Sequence, residues 1–137
     1  MRKMEEFLQT NGIDSISFVH NSCAQIGNTA VCGTRGWFAD DSDRKILLRE
    51  IGRLRTSLEC ARKAGLEPVV FLHYPPLYAD FKCDEIIDLL TEYGVKKCYY
   101  GHIHGYSVGR AKIGEFFGIR FRLVSCDSTC FTPILVV

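Results

Sequence analysis

The sequence lacks the features that mark several large classes of protein. None of its apolar runs approaches the roughly 18 residues that a membrane-spanning helix needs. The first eight residues, MRKMEEFL, contain no apolar stretch of the kind found in an export signal. With 17 basic and 16 acidic residues the formal net charge is +1, and no basic stripe typical of nucleic-acid-binding proteins stands out. We therefore expect a cytoplasmic protein that binds neither membranes nor nucleic acids.

The seven cysteines form neither a disulfide framework nor a recognisable metal-binding pair. Their number is odd, they are scattered through apolar and helical segments, and no Cys-x-x-Cys pair occurs. Cys126 and Cys130, four residues apart, are weak candidates for zinc binding. Since no export signal is present, reduced thiols are favoured over disulfide bonds.

Length and hydrophobic periodicity predict a single α/β domain over residues 1–137. A chain of this length, 47% hydrophobic, can bury one core but not two. Segments 4–8 and 84–93 have helical spacing, and aspartates and a serine at 40–43 provide caps for a third helix. That third helix is the strongest element, because its apolar residues step by four, three, four and three: Leu47, Ile51, Leu54, Leu58 and Ala61.

The predicted strands are of three kinds. An uninterrupted apolar run at 69–72 indicates a strand buried on both faces, as in a parallel sheet, and the next strand is predicted at 95–100. Gly-Asn at 27–28 predicts a hairpin between two short strands. Alternating residues predict a strand at 16–18 and an antiparallel strand with one exposed face at 118–124.

Three histidines follow the strands predicted at 69–72 and 95–100. His73 comes directly after the run at 69–72, and His102 and His104 lie in the sequence Gly-His-Ile-His-Gly after the run at 95–100. A helical segment separates the runs, so the unit is β-α-β and both carboxyl ends should meet at one sheet edge. Imidazole is a good ligand for zinc, manganese and iron, and we interpret the three histidines as a metal site. A lone histidine near a strand end is more often structural or solvent-exposed, and this is our interpretation of His20.

One arginine is a weak candidate for substrate binding. Arg35 lies between Gly33 and Gly36 and could bind a phosphate group through two hydrogen bonds. The alternative, an ordinary surface arginine, is favoured by the sequence alone.

These segments resemble the C-terminal half of the calcineurin-like metallophosphoesterases, and more narrowly the bacterial members described as metallophosphoesterases or serine/threonine phosphatases. The strand-His-x-Pro and Gly-His-x-His motifs carry the resemblance, which extends to Cys-Gly-Thr-Arg-Gly-Trp at 32–37 and to residues 121–127. It implies an α/β fold forming part of an α/β/β/α sandwich with mixed sheets. It also implies hydrolysis of a phosphorylated substrate by two divalent ions (manganese, iron or zinc). By position, His73 and His102 would bind one ion and His104 the other.

Three motifs of that family do not occur in these 137 residues. They are Asp-x-His, Gly-Asp-x-x-Asp, and Gly-Asn-His followed by an acidic residue. The bridging carboxylate, an asparagine ligand and the histidine that assists the leaving group belong to these motifs, so no residue here is assigned a catalytic role. We expect a truncated member of the family, or a gene whose start is placed too late, with weak or partial metal binding.

The alternative is a non-catalytic remnant with a vestigial metal site. Without the first strands of the sandwich, an open sheet edge and the apolar residues 69–72 should be uncovered. Such surfaces promote self-association or binding of a complementing chain.

Overall fold

The structure, a computed structural model, describes residues 2–37 and 44–136. Helices and strands alternate along the chain, as the sequence predicts for an α/β protein. In chain order the elements are α1 (Arg2–Thr10), β1 (Ala24–Ile26), β2 (Thr29–Thr34), α2 (Arg44–Lys63), β3 (Glu67–Leu72), β4 (Leu77–Tyr78), β5 (Phe81–Lys82), α3 (Asp84–Glu92), β6 (Lys97–Tyr100), a 3-10 helix (Gly105–Arg110), β7 (Gly114–Phe116) and β8 (Ile119–Leu123).

Six of the strands form one mixed sheet in the order β1-β2-β3-β6-β8-β7. The four central strands, β2, β3, β6 and β8, run parallel to one another. Strands β1 and β7 pair antiparallel at the two edges, and β4 and β5 form a separate small hairpin. The predicted α/β class is confirmed, as are the neighbouring parallel strands β3 and β6.

One face of the sheet packs against the helices. Helix α2 lies against β2 and β3 and contacts α3. The strand register places Cys32, Val70 and Cys98 side by side on this face, and all three are fully buried. Four of the five predicted apolar positions of α2 are buried in the same core: Leu47, Leu54, Leu58 and Ala61. The fifth, Ile51, is partly buried against it.

The other face of the sheet is not laid open as the sequence suggested. On this face Val69 is 7% exposed, whereas Val70 and Leu72 belong to the core on the helix side. Phe71 is partly buried and stacks on Tyr99 with ring centroids 5.0 Å apart. The expectation that residues 69–72 lie uncovered is therefore wrong, because neighbouring parts of the fold bury them. Beside Phe71, five C-terminal residues line the same cavity: Phe131, Thr132, Pro133, Ile134 and Val136.

Several local predictions are confirmed and others need correction. Helix α1 ends at Asn11-Gly12 and Gly27-Asn28 forms the hairpin turn, as predicted. Residues 16–18 form no strand, and Ile16 is 54% exposed. The strand predicted at 118–124 alternates as expected but is antiparallel only to β7, which the sequence analysis missed, and runs parallel to β6. The predicted caps at 40–43 lie outside the described residues.

The cysteines correct a further expectation. A disulfide joins Cys23, just before β1, to Cys60 in α2, with their Cα atoms 5.8 Å apart. Reduced thiols were expected throughout, and that is wrong for this pair, because the fold brings together two cysteines 37 residues apart. Burial raises the pKa of the Cys83 thiol to about 11, and it also raises the pKa of Cys98. In the described ranges no helix has both the length and the apolar character needed to cross a membrane.

Candidate metal centre

Polar side chains follow each of the four parallel strands at the same edge of the sheet. Arg35 directly follows β2, and His73 directly follows β3. His102 comes two residues after β6, and Asp127 comes four residues after β8. Carboxyl ends of parallel strands share one edge, where ligand sites of α/β proteins are usually found. The fold therefore gathers these four residues in one region.

Backbone hydrogen bonds fix the position of His73. The N–H groups of His73 and Tyr74 both donate to the carbonyl oxygen of Arg35, at 3.1 and 2.8 Å. On the other side the Gly101 N–H lies 3.2 Å from the carbonyl oxygen of His73. Pro75, which is buried, follows and restricts the chain as it leaves the site. His73 is thus held between the loops that follow β2 and β6.

His102 lies on an unusual backbone conformation. Its φ of 73° falls in the left-handed region, which a residue with a Cβ atom seldom occupies. Such conformations occur often at functional sites, where the surrounding structure maintains them. The His102 ring lies against Tyr74, with ring centroids 4.3 Å apart. This conformation sets the direction in which the imidazole leaves the chain.

The rings of His73 and His102 meet through their nitrogen atoms. His73 Nε2 and His102 Nδ1 are 3.1 Å apart, and both residues are exposed. With metal–nitrogen bonds of about 2.05 Å, this separation corresponds to an angle of roughly 100° at a shared ion. That angle lies between those of octahedral and tetrahedral coordination. In this structure the two nitrogens share a hydrogen bond, and one divalent ion could take its place if the bonding proton leaves and the rings reorient.

Electrostatics favours the neutral form of His102. Partial burial is the main cause that lowers the pKa of this imidazole, and the positive charges of His73 and His104 lower it further. Neutral imidazole is the form that binds metal, because its ring nitrogen keeps a lone pair. The surroundings of His102 therefore favour the state that a ligand needs.

His104 has a different partner from the other two histidines. Its Nδ1 atom lies 2.9 Å from Oδ1 of Asp127, whose Oδ2 accepts a 2.7 Å hydrogen bond from the Gly105 N–H. The Gly105 bond is the largest cause that lowers the pKa of Asp127, and His104 contributes as well. Across residues 2–37 and 44–136, His104, Cys126 and Asp127 are the one group of three potential metal ligands whose ligand atoms all lie within 4.8 Å of one another.

The three predicted histidines thus divide between two pairs. His73 lies with His102, and His104 lies with Asp127. His20 belongs to neither pair: its backbone N–H donates to Ser22 Oγ, and it lines a cavity together with Arg35. Metal binding by the three histidines stays a prediction.

The weaker candidates lie at or near the same edge. Arg35 is exposed, and its Cζ atom is 4.5 Å from the ring centroid of Trp37 and 6.0 Å from that of Tyr74. Of the two cysteine candidates, Cys126 belongs to the close group and Cys130 does not. Arg35 is therefore placed beside the histidines, and its role in substrate binding stays a prediction.

Asp127 is the site residue that the sequence analysis missed. A polar residue shortly after a buried strand is the signal that identified His73, and Asp127 stands in the same relation to β8. The strand was expected to be antiparallel, which would have placed its carboxyl end at the opposite edge of the sheet. Because β8 is parallel to β6, Asp127 comes to lie beside His104.

Comparisons with known proteins yield no relative: no protein-family model, no curated protein and no solved structure matches the chain. Function has to be inferred from the chemistry of this sheet edge.

Proposed function

We propose that this chain carries the histidine half of a two-metal phosphoesterase site. The observation that carries the proposal is the 3.1 Å separation between His73 Nε2 and His102 Nδ1, on neighbouring parallel strands. The sequence around His102 and His104, Gly-His-Ile-His, resembles the metal-binding motif of calcineurin-like metallophosphoesterases. Geometry and motif support the same reaction, the hydrolysis of a phosphate ester.

Each of the proposed ligands has its own task. His73 and His102 would hold one divalent ion and His104 a second, with manganese, iron or zinc as the ions suited to imidazole. Such ions supply a Lewis acid for the phosphoryl oxygens and lower the pKa of bound water. Arg35, next to His73 through its backbone, would bind a phosphate oxygen of the phosphorylated substrate. The backbone bonds around His73 orient the first ligand before any ion binds.

We also propose that the six-stranded sheet is the second sheet of an α/β/β/α sandwich. Helices cover one of its faces, and the other carries partly buried apolar residues, Val31 and Phe71 among them. A first sheet packed on that face would bring the bridging carboxylate and the remaining ligands to the histidine edge. Those ligands would come from a segment of the same protein or from a complementing chain.

A second candidate is a non-catalytic, partner-dependent domain. Large apolar side chains of the C-terminal segment are exposed, with Phe131 at 80% and Leu135 at 78%. In addition, none of the three family motifs Asp-x-His, Gly-Asp-x-x-Asp and Gly-Asn-His occurs in the 137 residues.

The cytoplasmic location stays a prediction. The Cys23–Cys60 bond counts against it, since disulfides are rare in cytosolic proteins.

The first experiment is a titration of the 137-residue chain with Co²⁺, followed by absorption spectroscopy. We expect one ion to bind with weak affinity, and the His73→Ala variant to lose this binding. The matched control is His20→Ala, which removes an exposed histidine that belongs to neither of the two pairs and should bind as the wild type does. If His73→Ala and His20→Ala bind Co²⁺ equally well, the metal centre is not where we place it.

The second experiment measures hydrolysis of an aryl phosphate with Mn²⁺ present. The 137-residue chain should act at or near background, because the general acid, worth about 10²–10⁴-fold, belongs to a motif that it lacks. A version joined to a segment with the three absent motifs should hydrolyse the ester, and His104→Ala should remove most of that activity. An extended protein that binds metal but hydrolyses no phosphate ester would contradict the proposed reaction and favour the non-catalytic domain.

A further inference from the structure

The carboxylate of Asp127 is held in place by the backbone on both sides. Its Oδ2 atom accepts the Gly105 N–H at 2.7 Å, and its Oδ1 atom accepts the Ser128 N–H at 3.0 Å. Oδ1 also lies 2.9 Å from Nδ1 of His104. Two backbone bonds therefore fix the carboxylate, independently of the histidine.

This arrangement determines which nitrogen of His104 carries the proton. An ionised carboxylate can only accept hydrogen bonds, so a bond at 2.9 Å requires the proton on Nδ1. Neutral imidazole has a single N–H, which leaves the lone pair on Nε2. Metal-binding histidines in proteins are commonly oriented by a carboxylate in this way.

We propose that Asp127 is the positioning residue of His104: it holds the Nδ1–H tautomer and the ring orientation, so that Nε2 is the atom offered to a metal ion. The tautomer follows from the hydrogen bond between His104 and Asp127 alone, whereas metal binding at Nε2 rests on the function proposed above. Asp127 also ties down the Gly105 N–H, so one side chain fixes both the ring and the backbone that follows it.

Removing the whole carboxylate is the variant that tests this role. Oδ1 of Asp127 faces both His104 Nδ1 and the Ser128 N–H, whereas Oδ2 accepts only the Gly105 N–H. An asparagine can keep its carbonyl oxygen towards His104 and lose only the Gly105 bond, whereas Asp127→Ala removes the acceptor for His104. Asp127→Glu keeps two acceptor oxygens on a longer side chain and should retain part of the function.

The competing arrangement is direct ligation. The ligand atoms of His104, Cys126 and Asp127 lie within 4.8 Å of one another, so a small shift could place one ion among all three. In that case Nδ1 would bind metal and Nε2 would carry the proton, the opposite of the proposed tautomer. The two arrangements are thus separated by one observable, the position of the proton on His104.

Nitrogen-15 NMR of the His104 ring measures that position directly. The metal-free, labelled chain is studied at about pH 8, well above the ordinary imidazole pKa of about 6.5. We expect wild-type His104 to be protonated on Nδ1. In Asp127→Ala the population should shift towards the Nε2–H form, and Asp127→Glu should keep much of the wild-type state. Asp88→Ala, the same change at an exposed residue of α3, is the matched control and should leave His104 unchanged.

The same variants are then titrated with Zn²⁺. Loss of an outer-shell partner commonly weakens metal binding by about 10–100-fold, and we expect this for Asp127→Ala but not for Asp88→Ala. If no variant binds zinc while the tautomer results hold, the proposed function fails and the positioning role of Asp127 stands.

Three results would overturn the positioning role. The first is wild-type His104 protonated on Nε2 in the metal-free chain, which needs no variant to observe. The second is an unchanged tautomer in a folded Asp127→Ala variant. The third is a sulfur-to-cobalt charge-transfer band that disappears in Cys126→Ser, because it would place the ion among Cys126, Asp127 and His104.

Discussion

The carboxyl edge of the sheet and its helix-covered face are built from the same strands but differ in character. In β3, Val70 is fully buried under α2, whereas His73, one residue past the end of the strand, is exposed. The covered face holds apolar residues on regular backbone. The edge holds exposed imidazoles and a carboxylate, one of them on left-handed backbone. Stability and the candidate chemistry therefore depend on different residues, although these lie only a few positions apart.

The edge itself contains two unlike pairs. His73 and His102 bring two imidazole nitrogens together, and partial burial and neighbouring positive charge lower the pKa of His102. His104 faces the carboxylate of Asp127, which orients it. The first pair is suited to share one ion, and the second presents a single nitrogen in a defined direction. The proposed division of the ligands between two ions rests on this difference.

The largest effect should come from the covered face. Leu54 is fully buried in α2, and Leu54→Ala should lower the free energy of unfolding by about 3–5 kcal/mol through lost burial and a residual cavity. Leu48, in the same helix but 53% exposed, is the matched control, and Leu48→Ala should change it by less than about 0.5 kcal/mol. Chemical denaturation measures both values. Equal losses in the two variants would mean that α2 does not pack on the sheet through the face containing Leu54.

Sequence patterns predicted the covered face better than the edge. Burial is visible in the local sequence, as the spacing of Leu47, Leu54 and Leu58 and the apolar run of β3 show. The direction of β8 is not visible there, because alternating Arg120 and Arg122 fit a parallel strand as well as an antiparallel one. Asp127 was missed as a consequence.

Proximity across long sequence separations could not be predicted either. The bond between Cys23 and Cys60 depends on where α2 lies relative to the segment before β1, and neither cysteine has a local signal. The meeting of His73 with His102 was predictable, because two parallel neighbours place their carboxyl ends together. Strand-end placement did not decide which of the three histidines would pair, since that depends on the left-handed backbone at His102, and only the family resemblance implied the pair His73 and His102.

An effect of intermediate size should come from the backbone at His102, whose conformation places the imidazole but lowers the stability of the fold. His102 has a φ of 73°, where a residue with a Cβ atom is disfavoured by about 1–2 kcal/mol and glycine is not. His102→Gly should therefore be more stable than His102→Ala by about 1 kcal/mol, while both variants lose Co²⁺ binding. Thermal or chemical denaturation of the metal-free proteins measures the difference. If the alanine variant is as stable as the glycine variant, the backbone relaxes there and the edge stores no strain.

A smaller effect concerns pH. The pKa of His102 lies below its ordinary value in the folded chain, so the neutral imidazole is favoured by folding. The associated stability is present above the ordinary pKa of about 6.5 and is lost as the pH falls through that value towards the folded pKa. NMR titration of the metal-free chain should show a midpoint for His102 below about 6.5, and His73→Ala should raise it because one positive neighbour is removed. If the midpoint of His102 does not change in His73→Ala, the two rings do not lie close together in solution.

The smallest effect should come from Arg35, at the rim of the edge. Its guanidinium lies over the Trp37 ring at 4.5 Å, which holds it beside His73 with an interaction of about 0.5–1 kcal/mol. For the metal-loaded chain, Arg35→Ala should weaken binding of inorganic phosphate about two- to fivefold, because an exposed ion pair contributes about 0.5–1 kcal/mol. Arg35→Lys should recover little, because a lysine keeps the charge but not the planar two-point contact. Arg120→Ala removes an exposed arginine from the middle of β8 and serves as the control. Calorimetric titration with phosphate measures the affinities of all three variants. Equal affinities in Arg35→Ala and Arg120→Ala would mean that Arg35 is an ordinary surface residue. The chemistry of the edge would then involve only its histidines and Asp127.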